Sequence, residues 1–221
     1  MELDEVMRTT FAARAYTGED IPDAVLYEIL DHARFAPSGG NRQGNRVIVV
    51  RDPATRERLA QLAEPAAKRY GAQVQAGERP WNTIVPTTVT EEQVANTPAP
   101  PGLTAPFRTA SVVLVFVVDL KLVASTDRYL DRVGVVSGAS IYPFVWNVLL
   151  AARQAGFGGT ITTMAVAQEP QLQALLRIPQ DHAAAALVPL GKPVKQLTRL
   201  TRRSVAELAT RERFDGPPFG T

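Results

Sequence analysis

The pattern of hydrophobic positions predicts an alternation of helices and short strands. Apolar residues at helical spacing indicate a short helix that begins near Leu3 and a second helix, opened by Pro22, that ends near Ala33. Two almost wholly apolar, β-branched runs, at 47–50 and 111–119, are typical of strands covered on both faces. The same criteria predict helices at 54–72, 135–155 and 168–176, and strands at 160–163 and 183–190. Without an internal repeat, this order indicates an α/β or α+β domain whose helices cover a central sheet.

Two segments depart from this pattern. Residues 77–107 carry several prolines and show no period of either strand or helix. A long irregular connection of this kind is a lid, a binding loop or a disordered insertion, and the residues do not choose among the three. The basic C-terminal stretch 196–221 is expected to lie over a surface, such as that of a partner subunit. A single domain spanning 1–221 is the default for this chain length.

Composition excludes several classes of function. The 24 basic and 22 acidic residues are dispersed and give a net charge of +2, so no bulk affinity for nucleic acid is implied. Without any cysteine, disulfides, thiolate metal sites, cysteine nucleophiles and iron–sulfur clusters are excluded. The first residues are acidic where a signal peptide requires basic ones, which favours a cytoplasmic location.

The stretch from Val133 to Ala152 contains no Asp, Glu, Lys or Arg, and its length would permit a membrane span. Gly138, Pro143 and Asn147, among others, interrupt its apolar character. A helix buried in the core or in a dimer interface is therefore favoured over a membrane helix.

The loop Pro37–Gln43 is the first candidate for a binding site. A proline and two glycines hold an open turn after a helix, next to the side chains of Ser38, Asn41 and Gln43. Such a turn can present backbone N–H groups to a phosphate or to the polar edge of a ring. On the residues alone, an ordinary helix cap followed by a strand is the better explanation.

Three further features also have both a functional and an ordinary structural explanation. Gly156–Thr160 is glycine-rich, but it follows a helix and precedes a predicted strand, which is the reverse of a dinucleotide-binding turn. Arg202 and Arg203 could neutralise a phosphate dianion, although an isolated basic pair is usually a solvated surface. His32 and His182 have neither metal-ligand spacing nor the partners of a hydrolase triad, so neither receives a role.

Taken in order, these motifs resemble the nitroreductase family. Ala-Pro-Ser-Gly-Gly-Asn-Arg-Gln at 36–43 is similar to the family's Ala-Pro-Ser-x-x-Asn-x-Gln-Pro-Trp, with Gly44-Asn45 in place of Pro-Trp. The stretch 152–159 is similar to Ala-x-x-x-Gly-Leu-Gly-Thr. Leu-Gly-Lys-Pro at 190–193 precedes Arg202-Arg203 much as the family's Leu-Gly-x-Pro precedes a basic pair.

The N-terminal segment matches this family only in part. In the family motif Arg-x-Ser-x-Arg, followed by an aromatic residue, Arg14 takes the last basic position and Tyr16 the aromatic one. Thr10 and Ala12 occupy the positions of the first Arg and the Ser. Arg8 is a candidate replacement for the lost charge.

The resemblance implies an α+β fold with a central mixed sheet flanked by helices, in an intertwined homodimer with two FMN molecules at the subunit interface. The uncharged helix from Val135 would then form the dimer seam. The implied flavin contacts are Arg14 at the N1/O2 edge, a backbone N–H of the 158–160 turn at N5 or O4, the 37–43 loop at the ribityl chain or phosphate, and one of two arginines at the phosphate. By residue they are Arg14, Pro37, Ser38, Gly39, Asn41, Gln43, Gly158, Gly159, Thr160, Arg202 and Arg203.

The implied activity is hydride transfer from NAD(P)H through flavin N5 to a nitroaromatic, quinone or related small-molecule acceptor, without a dedicated acid or base. The departures at Thr10, Ala12 and Gly44-Asn45 leave two alternatives open. One is a relative that oxidises, dehalogenates or fragments its substrate, and the other is a flavin-binding module without turnover. The residues identify neither the acceptor nor the preferred nicotinamide.

Overall fold

A four-stranded sheet forms the centre of the computed structural model, which describes residues 1–220. The strands are β1 (Asn45–Val50), β2 (Val112–Asp119), β3 (Gly158–Gly159) and β4 (His182–Gly191), in the spatial order β1-β2-β4-β3. Every strand pairing is antiparallel. The expected mixed sheet is therefore wrong for the strands themselves, and parallel pairing is confined to an isolated bridge between Ala12 and Gly159.

Helices cover both faces of this sheet, as expected for the α+β class. Within residues 1–220 they are α1 (Leu3–Thr9), α2 (Asp23–Ala33), α3 (Pro53–Gln75), α4 (Glu91–Asn96), α5 (Pro101–Thr109), α6 (Tyr142–Gln154), α7 (Glu169–Leu176) and α8 (Val205–Leu208). None of them combines the length and hydropathy needed to cross a membrane.

Strand β2 contributes side chains to the hydrophobic core on each face of the sheet. Val112, Leu114 and Phe116 belong to a core shared with α2 and α6, whereas the intervening valines belong to a core shared with α3 and α7. Leu114 and Phe116 are at most 1% exposed, and full burial of such side chains contributes roughly 1.5–3 kcal/mol each. The predicted two-sided burial of 111–119 is thus correct.

Three predicted elements differ from the structure. Strand β1 lies at an edge of the sheet, next to β2, and it is not covered on both faces, because Val49 is 44% exposed. The helix expected from 135 begins only at Tyr142, because Pro143 suits a first turn and 136–140 form a 3-10 turn. The segment 160–163 is not a strand, and only Thr162 forms a bridge there, to Leu187.

The proline-rich segment is less irregular than its sequence indicates. Helix α4 begins with a capping box in which Thr90 and Gln93 bond each other's backbone N–H groups. Helix α5 begins with Pro101 at its first turn, where a missing N–H costs nothing. Residues 77–107 therefore hold α4 and most of α5 instead of one long loop.

Asp127 organises the connection between β2 and α6. Its carboxylate accepts hydrogen bonds from the backbone N–H groups of Val135 (2.7 Å) and Val136 (3.2 Å), from Arg132 (2.8 Å) and from Ser125 (3.1 Å). These bonds, the one from Val135 foremost, hold the pKa of that carboxyl well below its usual range.

Candidate functional site

The N-terminal segment is attached to the sheet by backbone hydrogen bonds at both sides. The Ala13 N–H donates to the Gly159 carbonyl (3.0 Å), and the Thr17 N–H donates to the Lys192 carbonyl (2.9 Å). In return, the Val194 N–H donates to the Ala15 carbonyl (3.0 Å). Residues 12–17 are thereby held between β3 and the segment that follows β4.

This attachment places Arg14 at the wall of a cleft of about 160 Å³. The Arg14 guanidinium makes a single hydrogen bond within residues 1–220, a long one of 3.5 Å to the Ala12 carbonyl. Its other N–H groups have no partner in the part of the chain that the structure describes. Arg14 is therefore a cation whose donors are available to a ligand in the cleft.

The glycines of β3 allow the backbone to pass very close to β4. A Cβ atom on Gly159 would lie 2.6 Å from the Pro189 carbonyl oxygen, which no side chain tolerates. A Cβ atom on Gly158 would lie 3.3 Å from the Ala13 side chain, a tight contact that a small shift would relieve. The tight passage brings the buried Thr160 to the same cleft as Arg14.

The loop Pro37–Gln43 lies at a second cavity, of about 130 Å³, which Ser38 and Gln43 line together with Asn45 and Phe144. Its backbone turns through left-handed conformations at Asn41 (φ 50°) and Gln43 (φ 50°). Left-handed non-glycine residues cost energy and concentrate at binding sites.

Several backbone N–H groups of this loop are already bonded within the protein. The N–H groups of Gly39, Asn41, Arg42 and Gln43 already donate within the protein, and the Gln43 N–H donates to the Ser38 hydroxyl oxygen (2.9 Å). Because Ser38 accepts that bond, its own proton remains free to donate. A ligand would thus meet mainly side chains at this loop and not a nest of N–H groups.

The two predicted phosphate-binding arginines line neither cavity. Arg202 and Arg203 are exposed after the sheet, and Arg202 donates to the carbonyl of its neighbour Thr201 (2.8 Å). Within one chain, Arg14 and Thr160 share the first cleft, whereas Ser38 and Gln43 line the second.

Thr10 and Arg8, at the altered part of the N-terminal motif, both make hydrogen bonds within α1 and its cap. The Thr10 hydroxyl is buried and donates to the Val6 carbonyl (2.7 Å), which removes it from the cleft. Arg8, the candidate replacement, pairs with Asp4 (2.8 Å) on the exposed face of α1 and does not line the first cleft.

One wall of the first cleft is not predicted by any sequence motif. It is formed by Tyr70 of α3 and by Leu103, Pro106 and Phe107 of α5. These residues lack a chemical motif, and α5 lies in the stretch where prolines concealed the helical period. Within residues 1–220, no cluster of three or more His, Asp or Glu side chains has metal-binding geometry.

Comparison with known proteins identifies relatives with this architecture. The chain is 25% identical over 215 residues to iodotyrosine deiodinase of Nematostella vectensis, across 94% of this chain and 74% of that protein. It superposes on the NADPH:FMN oxidoreductase of Vibrio harveyi, solved with NAD⁺, with a TM-score of 0.68 at 19% identity, covering 96% of this chain and 78% of that one. Oxidized iodotyrosine deiodinase bound to FMN and 3-iodo-L-tyrosine gives a TM-score of 0.65 at 19% identity, covering 96% and 99%. At these identities the two superpositions show the fold.

The family model described as "Nitroreductase family" matches residues 7–192, which include the N-terminal segment, the 37–43 loop and all four strands. The chain therefore belongs to the nitroreductase family of flavin oxidoreductases.

Proposed function

We propose that this protein is an FMN-dependent oxidoreductase that takes hydride from NAD(P)H and reduces a small acceptor, such as a nitroaromatic compound or a quinone. The observation that carries the proposal is the first cleft, where the guanidinium of Arg14, with one long hydrogen bond to the Ala12 carbonyl, lies beside the close-packed backbone of Gly159 and Thr160.

The chemistry of this cleft fits a flavin ring. A flavin presents carbonyl oxygens and ring nitrogens along one edge, and Arg14 offers several N–H donors together with a permanent positive charge. The apolar wall from α5 is suited to a flat ring, since most cofactor sites are apolar with few polar groups. Arg14 is assigned to the N1/O2 edge, and a backbone N–H of the Gly158–Thr160 turn to N5 or O4.

The cleft of a single chain is too small for the whole cofactor. Its 160 Å³, like the 130 Å³ of the second cavity, is well below the roughly 300–1,000 Å³ of typical ligand sites. Two chains that share the cofactor would resolve this difference. Ser38, Asn41 and Gln43 would then reach the ribityl chain or phosphate from the partner subunit, with Pro37 and Gly39 shaping the loop.

The surface of α6 supports such a homodimer. One face of the helix is buried through Val145, Val148 and Leu149, whereas Tyr142 and Trp146 remain 42% and 41% exposed on the other. Exposed aromatic residues one turn apart are typical of a helix that meets a partner. The C-terminal segment 196–220 would pack on that partner, with Arg202 or Arg203 at the phosphate.

When bound, FMN would supply the redox chemistry by accepting hydride at N5 and passing electrons to the acceptor. The protein's part is to bind and orient. Arg14 places positive charge where negative charge develops during reduction, and the α5 wall excludes water from one side of the cleft.

An absorption spectrum of the purified protein tests this proposal. We expect a yellow protein whose flavin band bleaches with NADH or NADPH under anaerobic conditions and returns when an acceptor is added. Arg14→Ala is expected to weaken FMN binding, whereas Arg8→Ala, a matched exposed arginine paired on α1, is expected to leave it unchanged. A colourless protein that takes up no added FMN would contradict the proposal.

Reductive dehalogenation is a second candidate, favoured by the similarity to iodotyrosine deiodinase along 94% of the chain. Incubation with 3-iodo-L-tyrosine and a reductant would then release iodide, while nitro and quinone acceptors turn over slowly. This candidate would be excluded if the protein released iodide from 3-iodo-L-tyrosine no faster than free FMN does with the same reductant. Tight FMN binding without reduction by either nicotinamide would instead favour a binding module without turnover.

A further inference from the structure

The hydroxyl of Tyr16 lies where the two sides of the first cleft meet. It is 2.8 Å from the Ala13 carbonyl oxygen and 2.9 Å from the Pro189 carbonyl oxygen. Ala13 directly precedes Arg14, and Pro189 itself lines the cleft. One hydroxyl proton is thus shared between the N-terminal segment and β4.

The ring of Tyr16 is fixed as firmly as its hydroxyl. A Cβ atom on Gly191 would lie 2.9 Å from the ring, so the aromatic face rests directly on the glycine backbone. The backbone of Tyr16 also forms a bridge with Pro193. These contacts leave the hydroxyl little freedom to turn away from the two carbonyl groups.

The two carbonyl groups next to Tyr16 require a hydrogen-bond donor between them, and an aromatic ring alone would not supply one. Ala13 and Pro189 are both buried, and their carbonyl oxygens cannot bond each other. Burial raises the pKa of Tyr16 well above its ordinary value, against the opposing charge of the nearby Arg14. The hydroxyl therefore keeps its proton at neutral pH and can donate it.

We propose that Tyr16 is a positioning residue of the flavin site, which fixes the Ala13 carbonyl to β4 so that the Arg14 guanidinium and the Gly159–Thr160 backbone can contact the same bound flavin ring at once. The inference rests on the proposed function, because the placement of Arg14 matters only to a molecule bound in the cleft.

A double-mutant cycle tests this role. Tyr16→Phe keeps the ring on Gly191 and removes the two hydrogen bonds, and it is compared in the native and in the Arg14→Gln background. The readouts are the dissociation constant of FMN, from quenching of flavin fluorescence, and the midpoint potential of the bound flavin. Tyr27→Phe on α2, where the tyrosine is 72% exposed, is the control.

We expect Tyr16→Phe to weaken FMN binding about fivefold to tenfold and to make the potential more negative when Arg14 is present. In the Arg14→Gln background, the same substitution should have little further effect on either quantity. Tyr27→Phe should change neither.

Two results would overturn the role of Tyr16. One is an equal loss of FMN affinity in both backgrounds with an unchanged potential, which, together with a lower melting temperature, is the signature of simple packing. The other is a native protein that binds no FMN, which would overturn the proposed function as well. Should Tyr16→Phe not fold, Gly191→Ala makes the comparison instead, because its added methyl group would lie 2.9 Å from the Tyr16 ring and force the ring to shift.

Discussion

At the scale of single residues, the candidate site depends on backbone groups more than on reactive side chains. Gly159 lets β3 approach β4, and the Ala13 N–H then bonds the Gly159 carbonyl. Arg14 is the charged side chain that this arrangement presents to the cleft.

Replacement of Gly159 by alanine is expected to destabilise the fold. The new methyl group would lie 2.6 Å from the Pro189 carbonyl oxygen, a backbone atom that cannot rotate away. Overpacking of this kind costs about 1–3 kcal/mol, which urea unfolding would measure. Gly134→Ala is the control, because its methyl group would meet no atom closer than 3.6 Å. Equal stability of the two variants would contradict the expectation.

At the scale of elements, the loop between β2 and α6 is held by one carboxylate. The hydrogen bonds to Asp127 favour its charged form, so its folded pKa is lower than the value of about 3.9 in the unfolded chain. The stabilisation is therefore complete above about pH 4 and is lost as the pH falls further, through the pKa of the folded state.

Asp127→Asn is expected to loosen this loop without unfolding the sheet. The amide lacks the negative charge that strengthens the bonds from Val135, Val136 and Arg132. Hydrogen exchange at the amides of Val135 and Val136 should accelerate, and the difference from the native protein should shrink below about pH 4. Asp131→Asn, an exposed carboxylate of the same loop, should change neither rate. Unaltered exchange in Asp127→Asn would refute this account.

The elements predicted correctly from sequence are those with a regular apolar period. Helices α2 and α7 and strands β2 and β4 were placed to within one or two residues, because burial on one or both faces dictates their side chains. Helix α3 continues past the predicted end at 72 to Gln75, and Gly77, in a left-handed conformation (φ 73°), follows its end. The short α4 and the proline-containing α5 carry too few periodic residues to be recognised.

The sequence predicts individual segments of the candidate site but not how distant elements pack around them. Motif order indicated Arg14, the 37–43 loop and the 158–160 turn, and the structure brings the first and last together at one cleft. The wall from Tyr70 and α5 is set by packing between distant elements, and the internal bonding of the 37–43 N–H groups depends on Ser140 as well as on the loop itself. Neither leaves a local pattern in the sequence.

At the scale of the whole molecule, the site is expected to require two chains. The native protein should elute at twice the 24.0 kDa of the chain in size-exclusion chromatography with light scattering. Trp146→Glu places a charge on the exposed face of α6 and should yield monomers that retain little FMN, since a buried unpaired charge is costly. Tyr27→Glu, on an exposed face of α2, should remain dimeric. A native monomer that holds one FMN would contradict the two-chain site.

The attachment of residues 12–17 to both β3 and the end of β4 has a consequence for how the protein matures. The cleft joins segments separated by most of the polypeptide, and contacts between such distant segments form late because a long loop must close first. A nascent chain that has not yet emerged from the ribosome as far as Val194 has nothing to which Tyr16 and Ala15 can attach. If the cleft binds FMN as proposed, loading would have to follow the synthesis of β4, and a chain truncated before β4 would lose the cleft even though Arg14 is encoded far upstream.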